Sequence, residues 1–197
     1  MREHKLKYVT NDNSLHDELE ALRDENVRLR ARVAELEPLV AADTLTPVAN
    51  RRRFVDAVEA AVRRLDRHGT PAAVLFVDVD DLKKVNDKHG HLAGDALLIH
   101  IARIFAREVR ATDVVARLGG DEFGMVLDHL EPTEARAKAA QLVELVKAEP
   151  LWLDRQRLDA GVSIGVTPLL AGDTADSALG RADADMYLAK ARQRSTR

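Results

Sequence analysis

Four carboxylates stand where folding could gather them. Asp78 lies inside the apolar run Ala72–Val79 (AAVLFVDV) and Asp80 follows it, while Asp121 and Glu122 follow Gly119 and Gly120 within Arg117–Phe123 (RLGGDEF). Two β-prone runs, Asp113–Ala116 and Phe123–Leu127, flank the second pair, so the glycines fall where two strands must reverse into a hairpin. Without Cβ atoms they can take positive φ and let a bulky anion approach the backbone. A turn of this kind, tipped by carboxylates, can hold a metal beside a phosphate. The same residues also describe an ordinary Gly-Gly turn with solvated acids, and an acidic strand end left in water is the plain alternative for Asp78. If the two strands are neighbours, Asp78 and Asp121 meet as hard oxygen donors of the sort magnesium takes, with positions left for phosphate and water. Asp80 shares the strand face of Asp78 by the two-residue period.

These residues need a scaffold, and the remaining pattern supplies one. Arg51–Arg67 predicts a helix with Phe54, Val58, Val62 and Leu65 on one face, closed by Gly69 and Pro71. Gly94-Asp95 opens a long helix to about Arg110, with Leu98, Ile101, Phe105 and Val109 inward. Pro132–Lys147 is a third helix, with Ala135, Ala139, Leu142 and Val146 along one side, and Thr174 to Arg192 a last one, with Leu179, Ala182, Met186 and Ala189 inward. Ala72–Val79 is a continuous apolar run that fits a buried strand, and Ala160–Thr167 (AGVSIGVT) reads as another. The pattern predicts α+β layers, with helices packed on a mainly antiparallel sheet.

Ahead of this domain the register changes. Leu15, Leu22, Leu29 and Leu36 recur every seven residues, with Leu19, Asn26, Val33 and Val40 at the alternate core positions, and Asn13 or Ser14 can cap the helix. In a parallel dimer Glu18 faces Arg23, Glu25 faces Arg30 and Arg32 faces Glu37, all attractive pairs, and a core Asn26 favours two strands in parallel. A single amphipathic helix lying on its own domain is the other reading. A DNA-binding zipper is set aside, because Met1–Asn13 holds only three Lys or Arg. Pro38 ends or bends the helix, giving residues 1–42 as a coil and 43–197 as the domain that carries the carboxylates.

Composition narrows the function. With 33 acidic and 30 basic side chains among 197 residues, the net charge is −3, so nucleic acid is not an expected partner and phosphate binding must be local. There is no cysteine, which removes disulfides, thiolate metal sites and cysteine nucleophiles. No apolar run nears the roughly 20 residues of a membrane span, and no signal-peptide core is visible. The expectation is a cytoplasmic protein without a membrane anchor.

RLGGDEF resembles the signature of the GGDEF family, the diguanylate cyclases, over roughly Asp43 to Arg194. Asp43–Arg52 (DTLTPVANRR) is similar to the family's entry motif, with Pro47 in place of glycine and Val48 in place of leucine. Asp78–Asp95 (DVDDLKKVNDKHGHLAGD) is similar to its next motif, with Leu82 for phenylalanine, and Tyr187–Lys190 to its Y-x-A-K, although Gln193 replaces a glycine before Arg194. The resemblance implies a nucleotidyl-cyclase-like fold with its site at the hairpin. It implies Asp78, the Val79 carbonyl and Asp121 as ligands of Mg²⁺ or Mn²⁺, Asp121 as proton acceptor and Lys83 as transition-state stabiliser, with Glu122 and Arg117 in support. Asn86 and Asp95 are implied at the guanine edge, beside His91, and an amide with a carboxylate does offer the acceptors that edge needs. Lys83, Lys190 and Arg194 are candidate phosphate contacts, although singly each would pass for a surface cation. Arg110 and Asp113 read R-x-x-D, with five residues between Asp113 and Gly119, matching the family's inhibitory site for cyclic di-GMP.

The expected activity is therefore that of a diguanylate cyclase, joining two GTP into cyclic di-GMP and two pyrophosphates, active as a homodimer with one GTP per subunit and inhibited by its product. A catalytically silent nucleotide sensor signalling through its coil, and an oligomerising adaptor, are the rivals. The intact Asp78, Lys83, Asn86, Asp95 and hairpin acids speak against the silent sensor.

Overall fold

The computed structural model describes His16, residues 19–30 and residues 41–195, with side chains as far as Ala191. The chain divides into two units, Met1–Val40 and Ala41–Arg197. In the first, helix α1 (19–30) carries Leu19, Leu22 and Leu29 of the expected seam, all at least half exposed. Asn13, Ser14, Leu15, Val33, Leu36 and Val40 lie outside the described residues.

The second unit is built on a five-stranded mixed sheet, ordered β1-β3-β4-β2-β7. Its elements in chain order are β1 (Ala49–Asn50), α2 (Arg51–His68), β2 (Ala72–Asp80), α3 (Leu82–His89), α4 (His91–Glu108), β3 (Val114–Gly119), β4 (Glu122–Asp128), α5 (Pro132–Ala148), β5 (Leu151–Leu153), β6 (Gln156–Leu158), β7 (Gly161–Pro168) and α6 (Ala175–Ser195). Two-residue β1 runs parallel to β3, and every other pairing in this sheet is antiparallel.

Strand β2 lies between β4 and β7, and helices cover both of its faces. Ala73, Leu75, Val77 and Val79 point into a core shared with Leu97, Ile101 and Phe105 of α4 and Leu142 and Val146 of α5. Ala72, Val74 and Phe76 point the other way, against Phe54, Val58 and Val62 of α2 and Leu179, Ala182 and Met186 of α6. A strand buried on both faces must be apolar at every position, which is why β2 shows no alternation until it emerges at Asp78 and Asp80. The Phe105 and Phe123 rings meet edge to face at 5.7 Å and 80°, fixing α4 against β4 one residue beyond Glu122.

Two boundaries and one added hairpin differ from expectation. The long helix begins at His91 rather than Gly94, with short α3 immediately before it. Val109 stands at the carboxyl end of α4 as an extended residue, packed only partly against the core. A hairpin, β5 and β6, follows α5 and was not expected. Its two-residue turn, Asp154-Arg155, has φ of 47° and 65°, the conformation for which Asn-Gly is the usual signal. An Asp-Arg turn between three-residue strands carries no such signal.

Candidate active site

The end of β2 and the tip of the β3-β4 hairpin are tied by the main chain. The Val79 N–H donates to the Asp121 carbonyl at 3.0 Å, and Asp78 sits directly opposite Glu122 across the β2-β4 pair. The neighbouring strands that the sequence required are thus present, and they place Asp78, Val79, Asp121 and Glu122 at one end of the sheet. Like charges facing each other across strands repel. Burial, then repulsion from Asp121 and Asp78, raises the Glu122 carboxyl above its ordinary value despite nearby Arg51.

The turn takes its shape from two outside supports. Gly120 has φ of 31°, whereas Gly119 stays in a conformation open to any residue, so one of the two glycines uses the expected freedom. Arg117 donates from Nε and Nη2 to the Gly120 carbonyl at 3.0 and 2.7 Å, and its Nη1 lies 3.6 Å from Asp43 Oδ1. Asp43 is itself held by the Leu45 and Thr46 N–H groups at 3.2 and 2.8 Å and the Thr46 hydroxyl at 2.6 Å. Burial works to raise the Asp43 carboxyl, but the Thr46 hydrogen bonds and the Arg117 charge bring it below its usual value. The entry motif and the hairpin are therefore one clamp, a link 74 residues long (117 − 43) that no local spacing announces.

Lys190 reaches the same end of the sheet from α6. Its Nζ donates to Asp78 Oδ1 and lies 3.6 Å from Asp80 Oδ1, which also accepts from the buried Ser163 hydroxyl at 2.9 Å. The reach depends on Gly165, where a Cβ would stand 2.0 Å from the Ala182 carbonyl oxygen and 2.3 Å from the Met186 nitrogen. Asp185 locks the contact by accepting from the Val166 N–H at 2.8 Å. Burial disfavours the ammonium, but hydrogen bonding to Asp78 and the charges of Asp78 and Asp80 hold Lys190 above its ordinary value. The sequence places Asp80 on the Asp78 face without a role and gives none to Ser163, Gly165 or Asp185, since their partners lie on other elements.

Helices α3 and α4 leave the same end of β2 through Asp81, a non-glycine residue at φ 57°. Asn86 of α3 packs on Gly94 of α4, where a Cβ would fall 1.9 Å from its Oδ1, and among the described residues that buried oxygen has no hydrogen-bond partner. Asp95 is half-buried on the next residue, while Lys83 and His91 are exposed. Arg194 lies in the last turn of α6, its side chain outside the described residues.

Arg110 and Asp113 lie apart from this cluster, at the other end of β3. Asp113 accepts from the Arg110 N–H at 2.9 Å and from the Asp128 N–H at 3.0 Å, so its carboxylate pins the turn before β3 to the end of β4. Both residues line a cavity of about 410 Å³ with Glu134, Lys138 and Gln141.

The donors at the sheet end suit a hard divalent cation in type, since two carboxylates flank a main-chain carbonyl and their crowding raises Glu122. Among the described residues no three acidic or His side chains are grouped to hold a metal by themselves. A cation seated here would therefore draw on the main-chain carbonyl and on water or phosphate oxygens beside the carboxylates.

The sequence profile of "Diguanylate cyclase, GGDEF domain" matches residues 40–196. The chain is 40% identical over 158 residues to the bifunctional diguanylate cyclase/cyclic di-GMP phosphodiesterase MucR of Pseudomonas aeruginosa, covering 79% of this chain and 23% of that protein. It spans less than half the length of the curated relatives it matches first. Its fold is similar to that of the diguanylate cyclase SiaD of Pseudomonas aeruginosa, solved with its activator SiaC, at a TM-score of 0.74, 30% identity and coverage of 97% and 75%. It is also similar to the coiled coil and GGDEF domain of DgcB from Caulobacter crescentus, solved with c-di-GMP, at 0.72, 27%, 90% and 94%. No helix of the described residues is long and apolar enough to cross a membrane. With the family's hairpin, its main-chain tie to the end of β2 and a profile match over nearly the whole folded unit, the chain belongs to the GGDEF-domain diguanylate cyclase family.

Proposed function

We propose that this chain is a cytoplasmic diguanylate cyclase that converts two GTP into cyclic di-GMP and two pyrophosphates. The observation that carries the reading is the bond from the Val79 N–H to the Asp121 carbonyl, which sets the hairpin acids beside Asp78 and Lys190. Asp78, the Val79 carbonyl and Asp121 would hold Mg²⁺ or Mn²⁺, which when bound neutralises charge on the triphosphate. Lys83, Lys190 and Arg194 bind phosphate oxygens, and the first turn of α3 offers main-chain N–H groups to the same anion. Asn86 and Asp95 take the guanine edge with His91 beside them. Asp121, supported by Glu122, accepts the proton of the attacking 3′-hydroxyl, and the oxygen then bonds the α-phosphorus as pyrophosphate leaves.

One such site binds one GTP, so both bonds of the product require two sites facing each other. Residues 1–42, as a parallel coil, would raise the concentration of one domain (43–197) beside another, and the exposed Leu19, Leu22 and Leu29 support this. Arg110 and Asp113 form the product's inhibitory site, supported by the adjoining cavity. A guanidinium fork can bond guanine O6 and N7.

Incubation of the chain with GTP and Mg²⁺, followed by nucleotide chromatography, tests the activity, and GTP recovered intact leaves the silent sensor instead. In the same assay Leu22→Glu with Leu29→Glu should make specific activity fall steeply on dilution. Arg110→Ala should keep the initial rate while progress curves stay linear as product accumulates. A dilution-independent rate removes the coil's role, and unchanged inhibition in the variant removes the Arg110 site.

A further inference from the structure

Lys190 is bonded to a carboxylate that the proposed reaction needs for something else. Its ammonium is bonded to Asp78 Oδ1, and Asp78 is the strand-end ligand in the metal seat above. An ammonium and a dication at one carboxylate repel, so each weakens the other's hold on it. We propose that Lys190 and a divalent cation exclude one another at Asp78, and that Asp80 is the seat to which the ammonium withdraws when the cation arrives. This rests on the reading of Asp78 as a metal ligand.

The geometry separates what can move from what cannot. Helix α6 is held to β7 by the close contact at Gly165 and by the Asp185 bond to Val166, so the Lys190 backbone stays in place. The side chain above it is a flexible four-carbon stem ending in a point charge, able to change partners without a fixed fork to break. Asp80 is ready to receive it. It lies on the same strand face as Asp78, 3.6 Å from the ammonium, and its Oδ1 is aimed by the hydroxyl of Ser163, itself fully buried. Asp80 is thus a positioning residue, keeping the cation at the rim of the site. Triphosphate oxygens give Lys190 a better partner still, so nucleotide should help the cation to bind, and the cation should help nucleotide by the same factor.

The test is Mn²⁺ binding to the nucleotide-free full chain, read from the electron paramagnetic resonance signal of free Mn²⁺. Lys190→Met should bind Mn²⁺ about fivefold more tightly than the wild type. Lys190→Gln should do the same, and thermal melts confirm that both are folded. Lys147→Met removes the same charge from an exposed position on α5, outside the site, and should change little. Asp80→Asn should weaken binding in the wild type but less in the Lys190→Met background, because Asp80 acts partly through the lysine. Asp78→Asn should abolish binding in either background. If Asp78→Asn abolishes binding while both Lys190 variants match the wild type, or bind no Mn²⁺ at all, exclusion is overturned and the metal seat stands or falls separately. If Asp78→Asn leaves Mn²⁺ affinity intact, the metal seat itself is wrong.

Discussion

Helix α6 carries an ion pair near each end, and the two are built to different purposes. Near its start, Arg181 meets Asp173 through two nitrogens at 2.8 and 2.5 Å and also reaches the Thr167 hydroxyl and the Pro168 carbonyl. Asp173 further accepts from Ser177 and the Leu170 N–H, both at 2.8 Å. Bonding to Arg181 first, aided by these neighbours, lowers the Asp173 carboxyl to about 2. At the far end Lys190 meets Asp78 and Asp80 with one point charge, among acids that repel one another. A guanidinium fork against a saturated carboxylate has a single best arrangement, whereas an ammonium between two carboxylates has several. The first pair staples the helix to the sheet, and the second keeps charge available for a ligand.

Four substitutions press on this contrast. Asp121→Asn keeps size and removes charge at the reactive end, so turnover should fall by at least about a hundredfold with melting nearly unchanged. Wild-type turnover in the purified variant would detach the hairpin tip from the chemistry. Gly165→Ala strikes both ends together. Its Cβ must push Ala182 and Met186 away, at about 2 kcal/mol or more by denaturant unfolding, with activity falling as Lys190 is displaced. Unchanged stability there would mean that α6 is not held through this contact.

Asp173→Asn should be milder, about 1 kcal/mol once solvent screening is allowed for, and it carries a pH signature. The folded value of about 2 lies below the ordinary 3.8, so this carboxylate stabilises fully above about pH 4 and progressively less as pH falls through about 2. The variant should therefore lose the steepest part of the wild type's acid limb, as read by unfolding at several pH values. Glu122→Gln is the smallest and has the opposite sign. Its folded value lies above the ordinary 4.5, so the charged form opposes folding at neutral pH. In chelator the variant should gain about 0.5 kcal/mol at pH 7 and lose the advantage as pH falls below the ordinary value, a gain at the expense of function common at reactive sites. A loss of stability at pH 7 would show that Glu122 is a structural partner rather than a crowded one.

Legibility followed the range of the interactions. The inward face of α5, Ala135, Ala139, Leu142 and Val146, is buried as its period predicted, because a helix writes its exposed and buried faces into every few residues. The hairpin acids and Asp78 were visible because a turn and a strand end are local events. The Arg117–Asp43 clamp, the Ser163–Asp80–Lys190 chain and the Gly165 contact were not, because each joins elements far apart in sequence. Asp113 was readable as a site residue but not as the acceptor that ties the turn before β3 to Asp128.

By itself the sequence determined the long helices, the buried strands, the acidic hairpin and the family, since backbone geometry, turn chemistry and hydrophobic period all act over a few residues. The tertiary structure alone decided which carboxylate holds Lys190, because strand order puts Asp78 and Asp80 beneath α6. It also decided why Glu122 is raised, because cross-strand register sets it against Asp78. Charges act through space at separations that only packing sets, and that is why the partners of this site could not be read along the chain.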